Sequence, residues 1–222
     1  MKRLQISIIF VTMLLMGLAP HIYAKENNKE VNPAVNKILI MGLKDNIQSD
    51  YFYKDLIAEE SGIPVDSLEQ VFNRTIATNI AQSRIDFITA PEEERCTEVI
   101  NNIRVNGEQE NCTSDLSQVD NQCFRDLLSA TGAEYVLILN RHFLKKQDQP
   151  FNTLFYFISY SLYNKDKQEV MSGSNYFTTM HIESENIMKK VSRKSSGKIA
   201  SAVLKAVNQQ SAGLPSSLLT KY

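Results

Sequence analysis

Apolar positions along the chain form short continuous runs and helical stripes that alternate as far as residue 139, after which strands follow one another. Lys37 to Leu43 is almost wholly apolar and ends in the turn cluster Lys44-Asp45-Asn46. A run of that kind suits a strand buried on both faces. A weak helical piece around Tyr51 to Glu60 is stopped by Gly62 and Pro64. Asp66 and Glu69 then have the spacing of a capping box, and Leu68, Val71, Phe72, Thr75, Ile76, Asn79 and Ile80 follow at helical spacing. That stripe, with two polar exceptions, predicts a helix lying on a sheet.

Arg84 to Thr89 alternates as a second strand, and Glu92 to Val105 reads as a helix with Val99, Ile100 and Ile103 inward. Asn106-Gly107 can open a hairpin. Its polar flanks are poor strand material, so a helix end is expected there instead. Another helix spans about Asn121 to Ala130 and closes at Thr131-Gly132. Ala133 to Leu139 is the most apolar strand, surfacing at Asn140, Arg141 and His142. Leu154 to Tyr163 and Glu169 to Thr179 then read as a hairpin about Asn164-Lys165-Asp166-Lys167, with a bulge expected at Ser172-Gly173-Ser174. Glu183 to about Val207 is a long closing helix.

The predicted order is strand, helix, strand, helix, helix, strand, strand, strand, helix. Strands joined through a helix pair in parallel and strands joined by a turn pair antiparallel. The fold class is therefore α/β, an α+β mixed sheet covered by helices in two or three layers.

The N-terminus changes how much of the 222 residues must fold. Lys2 and Arg3, an apolar run from Ile6 to Leu18, and an exit of small and polar residues to Ala24 form a signal peptide too short to span a membrane. Cleavage near Ala24 leaves about 198 residues and takes the formal charge from −1 to about −3. The expected organisation is a signal peptide at 1–24, a disordered lead at 25–36, one mixed α/β domain at 37–210 and a flexible tail at 211–222. The product is expected to be periplasmic or secreted. An acidic balance argues against nucleic acid as a partner.

Export alters the reading of the three cysteines. Cys96, Cys112 and Cys123 meet an oxidising compartment, where a structural disulfide is the default. Cys112 with Cys123 closes the shortest loop, and Cys96 is the alternative partner. No C-x-x-C and no nearby histidine supports a metal site. Asn73 and Asn111 open N-x-T sequons that matter only in a eukaryotic secretory pathway.

Candidate chemistry is sparse. With His21 in the leader, His142 and His181 remain, each near the end of a predicted strand. Asn140, Arg141 and His142 form the one ligand-site cluster the pattern offers, since ligands of α/β sheets bind at strand ends. No nucleophile-elbow, dinucleotide, P-loop or zinc-protease motif is present, and no cofactor is implied. The aromatic residues from Phe151 to Tyr163 are expected to pack across strands rather than to stack on bases. The basic stripe from Lys189 to Lys198 is read as a solvated face, with membrane-surface contact the less favoured reading.

Several of these segments together resemble a group of envelope domains. They are the strand ending in Lys44-Asp45-Asn46, the helix from Asp66 to Gln82, the strand at Arg84 to Thr89, and Thr131-Gly132-Ala133-Glu134-Tyr135-Val136-Leu137. The group comprises the curli-export lipoprotein, the lipoprotein activators of penicillin-binding proteins and the amino-terminal domain of the Tol-system propeller protein. Here the usual glycine of the later hairpin turn is absent. No cysteine follows the leader, so a lipid anchor is not expected, and about 198 residues leave no room for a propeller. The resemblance implies envelope protein partners and brings no catalytic residues. The expectation is a non-enzymatic exported envelope protein acting as a binding or assembly module. The alternative is a small periplasmic hydrolase or ligand-binding protein with a pocket near the end of the 133–143 strand.

Overall fold

A computed structural model describes residues 36–50, 54–91, 94–147, 150, 153–179 and 185–212. The expected leader, nearly all of the expected lead, His181 and the tail beyond residue 212 lie outside the described residues.

The apolar run predicted as a buried strand forms β1, Ile38–Gly42, every residue but the last fully covered. A short strand β2, Ile47–Ser49, follows after four residues and was not predicted, because Ile47 alone breaks the polarity of its surroundings. Helix α1 spans Lys54–Ser61 and α2 spans Leu68–Ser83. The capping box at the start of α2 does not form. A 3-10 turn, Val65–Ser67, leads into the helix, Ser67 makes no side-chain cap, and Glu69 pairs instead with Lys54. β3 is Phe87–Thr89 and α3 is Glu94–Asn101.

After α3 the expectation of a helix running to Val105 fails. Arg104–Glu108 (β4) and Asn111–Asp115 (β5) pair antiparallel as a two-stranded sheet, turning at Gln109-Glu110. Gly107 has φ +99°, and a Cβ there would lie 2.1 Å from the Asn111 carbonyl oxygen. Only glycine permits that approach. The hairpin was hard to read because its buried positions, Cys112 and Ser114, are not an apolar alternation. Helix α4, Asn121–Thr131, is built as its sequence predicts. Asp120 Oδ1 accepts from the Gln122 and Cys123 amides at 2.8 and 2.9 Å, and Gly132 closes the helix in the left-handed region.

The last three strands are β6 (Tyr135–Gln147), β7 (Thr153–Asn164) and β8 (Glu169–Thr179), followed by α5 (Glu185–Ser211). Asn164 Oδ1 accepts from the Asp166 and Gln168 amides at 3.0 Å, forming the predicted turn without a glycine. The bulge expected at Ser172-Gly173-Ser174 is not there. Those residues stay in register with β7, Gly173 opposite Tyr160, and the shifts fall between Leu139 and Arg141 and between Leu162 and Tyr163. Helix α5 runs through Gly197 and includes Ser211, which was expected in the tail.

Sheet order is β3-β1-β6-β7-β8, with β1, β2 and β3 parallel to their partners and the β6-β7-β8 meander antiparallel. This is the expected mixed sheet. β1 pairs with Tyr135–Leu139 and β2 with His142–Leu144, so the two short strands lie end to end along β6. Their junction, Leu43–Asn46, faces the β6 bulge. One face of the sheet packs under α2 and α5 through Ile40, Phe72, Ile76, Leu139, Ile158 and Val203. The other packs under α3 and α4 through Leu39, Met41, Val99, Phe124, Leu127 and Ile138.

Candidate functional site

The predicted cluster Asn140-Arg141-His142 sits at the junction just described, and the bulge determines what it can do. An extra residue at a bulge places two neighbouring side chains on one face. Asn140 and Arg141 accordingly turn toward the β4-β5 hairpin, and His142 turns toward α2. The three do not converge.

His142 is fully buried. Its Nε2 lies 2.7 Å from Asn73 Oδ1 and its Nδ1 lies 2.6 Å from the Tyr156 hydroxyl. Asn73 Oδ1 also accepts from Asn46 Nδ2 at 2.9 Å, while Asn73 Nδ2 donates to the Leu43 carbonyl at 2.9 Å. An amide oxygen can only accept, so His142 donates from Nε2 and accepts the Tyr156 proton at Nδ1. That assignment makes the ring neutral. Burial pulls its pKa from 6.5 down to about 3, and burial likewise pushes the Tyr156 phenol well above its usual value. Phe72 meets the imidazole edge-on and Tyr156 stacks on it, with centroids 6.0 and 5.6 Å away. The chain of hydrogen bonds binds the two strand ends and α2 together across a break in the ladder. It is a structural network with no path to solvent through the histidine.

Asn140 is also fully buried, and its groups serve the hairpin. Nδ2 donates to the Cys112 carbonyl at 2.8 Å and to Ser161 Oγ at 2.9 Å, and Oδ1 accepts from Ser114 Oγ. Ser161 Oγ accepts the Ser114 amide at 3.2 Å, and the Tyr163 hydroxyl donates to the Ser114 carbonyl. These bonds hold a polar hairpin on the sheet where apolar burial is scarce.

Arg141 alone of the three is open. It borders a cleft of about 480 Å³ between β2 and the hairpin, with Asp45, Asp50 and Glu108 around the rim. Three carboxylates against one guanidinium suit a partner group with positive charge or several donors. Cys112 lies beside Arg141 and Ser159, but burial pushes its thiol pKa up against the pull of Arg141, so it is not a ready nucleophile. Among the described residues no group of three histidine, cysteine or acidic side chains is placed to hold a metal ion.

No bridge joins Cys112 to Cys123, nor either to Cys96. Cys112 faces Arg141 and Ser159 on the sheet, whereas Cys123 on α4 lies beside Glu98 of α3. The charged and polar groups around the two thiols have no member in common, and the shortest loop is not closed.

Of the aromatic run, Tyr156, Tyr160 and Tyr163 are buried as expected. Phe155 and Phe157 lie half-buried beside Tyr176, whose ring is 5.3 Å from that of Phe157. Phe151 lies outside the described residues. Sequence reasoning missed Asn46, Asn73, Ser114 and Ser161, the partners that decide the roles of His142 and Asn140. Asn79, one of the polar exceptions on the apolar stripe of α2, hinted at buried polar pairing and donates to Ser192 Oγ at 2.6 Å.

No family model and no curated protein matches the chain. Among solved structures it is similar to hypothetical protein CT253 from Chlamydia trachomatis, at 9% identity over 78% of this chain and 96% of that one, TM-score 0.43. The PelC dodecamer from Paraburkholderia phytofirmans matches at 9% identity over 74% and 85%, TM-score 0.37. The LpoB C-terminal domain from Salmonella enterica matches at 10% over 64% and 82%, TM-score 0.22. The resemblance to activator lipoproteins of penicillin-binding proteins thus amounts to a weak likeness of fold. Among the described residues no helix is long and apolar enough to cross a membrane.

Proposed function

We propose that the chain is a non-enzymatic exported cell-envelope protein that binds or helps assemble another envelope component. The observation that carries this reading is the division of labour around the β6 bulge. His142 and Asn140 are spent on internal hydrogen bonds, and Arg141 is left on an open, charged rim suited to recognition rather than to proton transfer. General acid-base chemistry needs a titrating group within reach of a substrate. A histidine held neutral in the core does not supply one.

The cleft beside Arg141 is the contact surface in this reading, its acidic rim selecting a partner with exposed lysine, arginine or backbone donors. Photo-crosslinking side chains placed at Gln48, Glu108 and Arg141 test it in living cells. A discrete adduct with one envelope protein, absent when the probe sits at buried Ile138, is the expected result. Failure of all three rim positions to yield an adduct would remove the reading.

A further inference from the structure

Charge is unevenly spread over the two helical layers. On α3, the hairpin and α4, exposed Glu98, Glu108, Asp120 and Asp126 predominate. On the opposite layer Asp55, Glu59, Asp66 and Glu69 gather on α1 and the entry to α2, and Asp86 follows Ile85, while no carboxylate lies from Val71 to Arg84 or from Ser192 to Ala212 of α5. Lys194, Lys198 and Lys205 are exposed at positions i, i+4 and i+11 of α5, which fall in one line about 16 Å long. The helix ends beside the exit of α2, where Arg84 and Lys205 line one cleft of about 430 Å³ together with Leu204. Next to Arg84 the side chain of Ile85 is 88% exposed, the most exposed large apolar residue among those described. A solvated face explains lysines on a helix. It does not explain a projecting isoleucine at the end of the same basic line.

We propose that this face docks on an anionic phospholipid surface, with Lys194, Lys198, Lys205 and Arg84 over the headgroups and Ile85 entering the headgroup boundary. Cations near such a surface are attracted within a Debye length, each contributing about fivefold in affinity, and an apolar residue inserted beside them adds a part that salt does not screen. Charge selects the occupant, because the α5 line carries three exposed lysines and no carboxylate, which complements phosphate headgroups. The isoleucine favours a bilayer over a soluble polyanion, which offers nothing apolar to enter. The membrane-surface reading that the stripe alone did not favour gains its ground from Arg84, Lys205 and Ile85, which sequence order does not place together.

The proposal goes beyond the protein-binding role and stands apart from the Arg141 cleft, so cross-linking and lipid binding succeed or fail separately. The test is cosedimentation of the chain, as cells produce it, with vesicles of phosphatidylglycerol and phosphatidylcholine, taking pure phosphatidylcholine as baseline for any other apolar segment. Binding above baseline at low salt, falling at least tenfold at moderate salt, is expected. The combined variant Lys194→Gln, Lys198→Gln, Lys205→Gln removes three exposed charges and should lose about 100-fold. Ile85→Ser should lose several-fold with the salt dependence unchanged. Unchanged thermal midpoints verify that these surface variants are folded. No binding above baseline, or a triple variant that binds like the parent, overturns the proposal. So does an Ile85→Ser variant without effect, and so does salt-sensitive self-association without vesicles that the triple variant abolishes, which would give the face to a second copy.

Discussion

Asn73 Oδ1 lies 2.7 Å from His142 Nε2, joining the helix that covers the sheet to the strand at its centre, at the level where β1 and β2 meet end to end. The contact sets the charge state of a buried histidine, and the nitrogen of the same amide donates to the Leu43 carbonyl at a break in the ladder. Both consequences can be measured.

His142 should make stability depend on pH in a definite direction. Its ordinary pKa is 6.5, and burial lowers it to about 3 in the folded chain. Between those values the unfolded state binds a proton that the native state does not. Stability is then complete above pH 6.5 and falls by about 1.4 kcal/mol per pH unit as the pH drops toward 3. Urea midpoints of the parent and of His142→Leu, compared from pH 7 to pH 4, isolate this slope, since carboxylates titrate alike in both. The variant should be less stable at pH 7 and flatter below 6.5; equal slopes would mean the ring is not held neutral.

Gly42 should be coupled to Asn73. A Cβ at Gly42 would lie 2.3 Å from Asn73 Cγ, so alanine there must push the amide off both Leu43 and His142. Gly42→Ala should cost about 2–3 kcal/mol in equilibrium unfolding. Asn73→Gly removes the obstructing amide and also the Asn73 Cβ, which would itself lie 2.5 Å from the new methyl, at a similar or somewhat greater cost because glycine weakens a helix interior. The double variant should be far less destabilised than the two single costs combined, because the clash has no second partner. Strict additivity would show that the two residues do not share the site.

How much of this was legible in the sequence depends on which force held each element. β1, β7, β8 and α4 bury apolar side chains or use local cap and turn chemistry, and their limits follow from pattern, as Asp120 and Gly132 illustrate. β6 instead runs on to Gln147, past its expected end at Leu139, because Asn140 and His142 are buried by partners distant in sequence. The β4-β5 hairpin is held by Asn140, Ser161 and Tyr163, residues 26 to 49 positions away from their hairpin partners, and nothing local announces those bonds. The same holds for the site. Asn140, Arg141 and His142 could be singled out as polar residues at a strand end, but a single bulge sends them to opposite faces, and a bulge without glycine leaves no mark in composition.

Asn140→Ala should loosen the hairpin selectively. It deletes the bonds to the Cys112 carbonyl and to Ser114 and leaves the β6-β7 ladder intact. Hydrogen exchange is expected to accelerate at the amides of Arg104–Asp115 while those of β7 and β8 keep their protection. Exchange rising evenly through the whole sheet would instead make Asn140 a general core residue.

Thiol reactivity tests where the cysteines lie. With no bridge among them, alkylation in denaturant without reductant should modify all three. In the native chain, half-exposed Cys123 should react first, slowed because burial and neighbouring Glu98 raise its pKa. Buried Cys112, its pKa also raised by burial, should wait for the hairpin to open. The Asn140→Ala substitution should therefore speed labelling of Cys112 several-fold and leave Cys123 unchanged, since only the former lies beneath the bonds that Asn140 makes. Peptide mapping after timed alkylation reads both rates. If only one thiol is modified in denaturant without reductant, two cysteines are bridged in the chain as cells produce it. Equal acceleration at Cys112 and Cys123 in the variant would instead place both under the same opening, which their different neighbours, Arg141 and Glu98, argue against.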